Sequence, residues 1–94
     1  MTFSVSWLPS ARYDLDRHFY AMNDKNPIAA SRVVREILSA GASLAIFPHR
    51  GRVVRDSQRR LKVAFGKVGY FLYYRVEGSQ VFILQVSHGR EDRD

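Results

Sequence analysis

Residues 69–86 read GYFLYYRVEGSQVFILQV, two runs of aromatic and β-branched side chains on either side of one Gly-Ser pair. That is strand composition, and the link Glu77-Gly78-Ser79-Gln80 is short enough for a hairpin. In the first run, 69–77, Tyr70, Leu72, Tyr74 and Val76 share one face, while Phe71, Tyr73 and Arg75 share the other. The second run, QVFILQV (80–86), is apolar on both faces, the pattern of a central strand covered on both sides. An antiparallel sheet therefore forms the C-terminal half of the chain.

Upstream, LKVAF (61–65) alternates, with Leu61, Val63 and Phe65 on one side, and predicts a third strand. The link Gly66–Gly69 reads as another hairpin turn, since its glycines lack the spacing of a phosphate-binding loop. Before it, Asn26-Pro27 opens a helix, Asn as cap and Pro at the first helical position. Its expected buried stripe is Ala30, Val34, Ile37, Gly41, Leu44 and Ala45, and Pro48 is expected to stop it. Gly41 costs about 1 kcal/mol against alanine in a helix interior, so a close helix contact or a kink is expected there. An earlier helix is marked by Ala11, Leu15, Phe19 and Met22, with Ser10 as its expected N-cap and NDKN (23–26) as the following turn. FSVSWL (3–8) alternates as a short strand that Pro9 ends. The predicted order is β-α-α-β-β-β in one domain, 1–94. Its fold class is α+β: a small antiparallel-rich sheet with an N-terminal helical hairpin packed on one face and the first strand at an edge.

The charge is concentrated in one place. The chain carries a net charge of +6. Residues 50–67 hold seven cations (Arg50, Arg52, Arg55, Arg59, Arg60, Lys62 and Lys67) against the single anion Asp56, so the remainder is neutral. This segment, which includes PHRGRVVRDSQRR (48–60), reads as a connection between helix and sheet. It should attract nucleic acid or an acidic protein.

Several chemistries are excluded. There is no cysteine, so disulfides, Cys-based zinc sites and thiol catalysis do not arise. His18, His49 and His88 lie far apart with no carboxylate at a chelating spacing, so neither a metal nor another cofactor is expected. No signal peptide or membrane span is read, and a soluble cytoplasmic chain is expected. What remains is a basic, tyrosine-bearing sheet with Arg60, Arg75, His88 and Arg90 near strand ends. Cations there could meet phosphates and rings could stack on bases. Arg with His could also cleave RNA without metal.

The segments P48-H-R-G-R52, R60-L61, Y73-Y-R-V76 and I83-L-Q-V-S-H-G-R90, in this order and with the helical hairpin before them, resemble the RelE/ParE superfamily of type II toxin–antitoxin toxins over nearly the whole chain. The resemblance implies one of two activities. ParE-like members are associated with poisoning DNA gyrase, and so DNA replication, without chemistry of their own. RelE-like members cut messenger RNA on the ribosome. For an endoribonuclease of this second kind, Arg60, Arg75 and His88 match the positions expected to be catalytic. The tail Gly89-Arg90-Glu91-Asp92-Arg93-Asp94 favours the ParE-like branch, since it lacks a terminal aromatic residue and its acids would repel RNA. His88 and Arg90 then mark a C-terminal functional segment. The resemblance also implies a cognate antitoxin, an acidic and partly disordered segment that folds on binding. Val33 and Leu38 on the second helix, with Arg50, Arg52, Arg55, Arg59 and Arg60, are its expected contacts.

Overall fold

The computed structural model describes residues 2–91. The elements run β1 (Ser4–Trp7), α1 (Pro9–Asn23), α2 (Pro27–Ser43), β2 (Arg52–Arg55), β3 (Gln58–Val63), β4 (Tyr70–Glu77) and β5 (Gln80–His88). The five strands form one sheet in the order β1-β5-β4-β3-β2. Three neighbouring pairs are antiparallel, and the β1 edge runs parallel to β5. The α+β class, the helical hairpin and the edge position of the first strand are as expected. The interior position expected for 80–86 is found, but β4 holds the centre and the helices cover only one face of the strand, not both as expected.

One strand was not anticipated. The basic segment is not a simple connection: β2 pairs antiparallel with β3, and Asp56, at φ 47°, turns the chain between them. A four-residue Arg-Val-Val-Arg strand has no alternation to betray it. It sits at the edge of the sheet, where exposed arginines keep an open strand from pairing with another chain.

Every core residue of the sheet lies on one face. Leu61 and Val63 of β3, Tyr70, Leu72 and Tyr74 of β4, and Val81, Ile83 and Val86 of β5 are buried there against Ala11 of α1 and Val33, Ile37 and Leu44 around α2. Spacings of three and four select Ala30, Val33, Ile37, Gly41 and Leu44 as the buried stripe of α2. Val33, 1% exposed, therefore replaces Val34 in the core and offers no surface to a partner. The helix also ends at Ser43, before Pro48, as residues 44–46 turn away. Gly41 is explained by close approach: a Cβ there would lie 2.4 Å from Cζ2 of Trp7 and 3.1 Å from Cδ1 of Ile83. At the start of α2 the Asn26 side chain accepts the Ala29 N–H at 3.1 Å, as a cap should.

A bulge in β5 controls which side chains reach the helices. Tyr73 pairs with Gln85 but Tyr74 pairs with Ile83, so Leu84 is an extra residue in the ladder. Strict alternation from Ile83 would send Val86 and His88 to the far face. The bulge returns both to the helix face, opposite Leu72 and Tyr70. It also frees the Leu84 carbonyl, which accepts the Ser10 hydroxyl at 2.7 Å. Ser10 is thus not the cap of α1; Leu8 occupies the N-cap position without a side-chain cap, and Pro9 follows it.

Candidate functional site

The sheet has two chemically different faces. Neither helix packs on the far one, which carries Phe71, Tyr73 and Arg75 from β4, Arg60 and Lys62 from β3, Arg52 from β2 and Phe82 from β5. Register places them in cross-strand pairs: Arg52 with Arg60, Arg60 with Tyr73, Lys62 with Phe71, and Arg75 with Phe82. The Arg60 guanidinium lies 4.6 Å from the Phe71 ring centroid, and that of Arg75 lies 5.6 Å from Phe82. Such cation–aromatic contacts hold the guanidinium planes over flat apolar rings. Arg75 is also paired with Glu77. The face can bind an extended anionic chain bearing flat groups.

The helix face carries His88, because of the bulge. Its ring meets Tyr70 edge-on at 5.1 Å, and His18 of α1 also meets Tyr70 edge-on, at 5.2 Å. The sheet therefore brings Arg60 and Arg75 together but places His88 on the opposite side. Arg90 stands exposed in the turn after β5, its N–H donated to Nδ1 of His88 at 3.2 Å.

The expected antitoxin contacts separate as well. Leu38, Arg50, Arg52 and Arg55 are exposed. Arg59 is held by the fold, its Nη1 donating to the carbonyls of Gly51 at 2.7 Å and His49 at 3.2 Å. Arg50 donates to the Ser43 hydroxyl at 2.7 Å. Beside it Ile46 and Phe47, each 63% exposed, make an apolar recess with Pro48 and His49. The sequence signal for that recess was the apolar run continuing past the helix end.

Three further residues escaped the sequence reading. His18 is buried, and its Nε2 lies 3.0 Å from the Val86 carbonyl. A carbonyl only accepts, so Nε2 carries the proton. Burial pushes this imidazole below its ordinary value of 6.5, and the neighbouring Arg17 adds to that, against the opposing pull of the Val86 carbonyl, Glu91 and Asp14. Arg17 grips Glu91 through both oxygens, at 2.8 and 3.2 Å. That grip holds the Glu91 carboxyl down at about 2. Burial, with the Glu91 charge, pushes the Tyr70 phenol up.

Both His18 and Glu91 bind fewer protons folded than unfolded, so both withdraw stability on acidification. The His18 contribution is complete above pH 6.5 and fades as pH falls below it. That of Glu91 fades from 4.5 towards 2. Thermal unfolding followed by circular dichroism from pH 7.5 to 3 should show Tm level down to about pH 6.5 and declining below it. His18→Gln should flatten the upper part of the curve, and Glu91→Gln the lower part.

Among the described residues no group of three or more His, Asp or Glu side chains could hold a metal, and no helix is long and apolar enough to cross a membrane. Asp92 and Asp94, the other acids of the tail, lie outside the described residues.

The architecture is shared with solved toxins. The chain superposes on the chromosomal ParDE toxin–antitoxin system of P. aeruginosa with a TM-score of 0.77 at 21% identity, over 93% of this chain and 96% of the other. The RelBE2 toxin–antitoxin complex of Mycobacterium tuberculosis gives 0.67 at 23% identity, over 94% and 99%. In sequence, the chain is 34% identical over 93 residues to Toxin RelE1 of Caulobacter vibrioides, covering 99% of this chain and all of that protein. It is 38% identical over 90 residues to Toxin RelE3 of the same organism, covering 96% and 98%. Residues 5–93 match the family of ParE toxins of the type II toxin–antitoxin system parDE. With strand order, helical hairpin and full-length likeness in agreement, the chain belongs to that family, and is a type II toxin of the RelE/ParE superfamily.

Proposed function

We propose that this toxin acts by binding, as an inhibitor of DNA gyrase and so of DNA replication in the cytoplasm, without chemistry of its own. The separation of His88 from Arg60 and Arg75 carries this reading. Metal-independent RNA cleavage needs a general base and a phosphate-stabilising cation on one substrate, and here they stand on opposite faces of the sheet. His88 is instead packed on Tyr70 and engaged in the C-terminal turn. The antitoxin engages Leu38, Arg50, Arg52 and Arg55, its acidic side chains meeting those arginines. Val33 has no part in this, and Arg59 acts through the loop it holds.

A second reading, a ribosome-dependent mRNA endoribonuclease, is favoured by one observation. Arg60 and Arg75 share the open face with Phe71 and Tyr73, a suitable bed for RNA. The two activities separate in a pulse-labelling time course. The chain is expressed alone from a tightly repressed promoter, and thymidine and methionine incorporation are followed in the same cultures. DNA synthesis should stop first, with protein synthesis following, and His88→Gln should retain that toxicity. Collapse of protein synthesis within minutes, with DNA synthesis continuing, would overturn the gyrase reading.

A further inference from the structure

The pairing of Arg17 with Glu91 is more than a surface ion pair, because the main body of the fold builds everything around the carboxylate. Arg17 offers it a two-pronged fork at 2.8 and 3.2 Å. That fork is aimed from behind: Arg17 Nε donates to Asp14 Oδ1 at 3.1 Å, and Asp14 Oδ2 accepts the Val86 N–H of β5 at 2.9 Å. A third donor, the His88 N–H, reaches Glu91 Oε1 at 2.9 Å. The buried His18 stands behind, its Nε2 3.6 Å from the same oxygen. A preorganised fork with a backbone donor is a geometry suited to a planar carboxylate.

The glutamate does not fill the site. Beside it a recess of about 290 Å³ continues along α1, lined by Ala21, Met22 and Lys25 together with Tyr70 and His88. Apart from Glu91 itself, every charged side chain lining that recess is a cation. The room, the extra ammonium and the apolar floor suit a peptide backbone entering with its own acid. Glu91 is half-exposed in the last described turn.

We propose that the cleft between α1, the start of β4 and the end of β5 is a carboxylate-recognition site for an acidic peptide segment of a partner protein, kept filled in cis by Glu91. Glu91 is a tethered competitor. Its local concentration, on the order of millimolar for a short tether, must be exceeded or displaced before an outside carboxylate binds. The site is independent of whether the toxin acts on gyrase or on the ribosome.

The test uses the full chain and proton NMR of its three histidines. A capped tri-glutamate peptide is titrated into wild type and Glu91→Ala. The variant should bind at least tenfold more tightly, with shifts at the His18 and His88 rings and none at His49, and adding Arg17→Gln should abolish the response. Glu91→Gln, which keeps the side-chain shape, provides the same comparison should the alanine variant lose its dispersed spectrum. Equal affinity in wild type and variant, or binding that survives Arg17→Gln, overturns the proposal. So does a stronger response to inorganic phosphate than to propionate at equal concentration, which would assign the cleft to phosphate.

Discussion

Ile83→Ala should cost about 3–4 kcal/mol of folding stability, and Val86→Ala about 2 kcal/mol, while Gln85→Ala between them should change stability by about 0.5 kcal/mol or less. Ile83 is fully buried and paired with Trp7 on one side and Tyr74 on the other, beneath Gly41 of α2. Truncation leaves a hole at the junction of helix and sheet, where neither layer can move without disturbing the other. Val86 is likewise fully buried. Two costly positions three residues apart, with a cheap one between, are what the bulge at Leu84 requires. A regular strand would make Ile83 and Gln85 the matched pair. Urea unfolding of the three variants, with unchanged slopes, checks the pattern.

Gly51→Ala should destabilise the protein by about 3 kcal/mol, the upper end for overpacking. A Cβ at Gly51 would lie 2.7 Å from the Tyr74 hydroxyl and 2.9 Å from the Arg60 carbonyl. The second contact is backbone in a paired strand, so it cannot swing aside. The Gly51 N–H donates to the same Tyr74 hydroxyl at 2.8 Å, which ties the loop before β2 to the middle of the sheet. Tyr74→Phe alone removes that acceptor and should cost about 1–3 kcal/mol, the penalty of a buried unpaired N–H. Combining the two changes should fall short of additivity by about 1 kcal/mol, since one clash and one hydrogen bond share the same oxygen. The double variant should still not recover, because the Arg60 carbonyl remains. A thermodynamic cycle from denaturant titrations of the four proteins measures this coupling.

The parts of the fold that were readable depend on short-range pattern. Alternation in 69–77 places Tyr70, Leu72 and Tyr74 on the buried face without reference to anything else. Asn26-Pro27 marks a helix start through bonds made within four residues. The parts that were not readable depend on partners far along the chain. Val33 and Val34 are adjacent valines, and only the angle at which α2 crosses the sheet selects the first. In β5, the apolar neighbours Phe82, Ile83 and Leu84 hide the bulge, because any register buries something apolar. The candidate site suffered most from this. His18 finds its carbonyl 68 residues away, and Arg17 finds Glu91 at a separation of 74. Neither pair has a local spacing to detect. Arg60, Arg75 and His88 looked equivalent as strand-end residues because the face that His88 takes is decided by the bulge.

The parallel seam between β1 and β5 bears on how the toxin is made. Ser4 pairs with Gln80 and Trp7 with Ile83, so the first strand synthesised waits for the last. α1 packs against α2 and against that same final strand. A nascent chain that lacks β5 therefore holds its first strand without its paired neighbour, and its first helix without one of the surfaces it packs on, while synthesis proceeds at about 5–20 residues per second. Only the arrival of β5 completes the sheet. Until β5 is made, the surfaces a partner could meet during translation are those of an incomplete sheet.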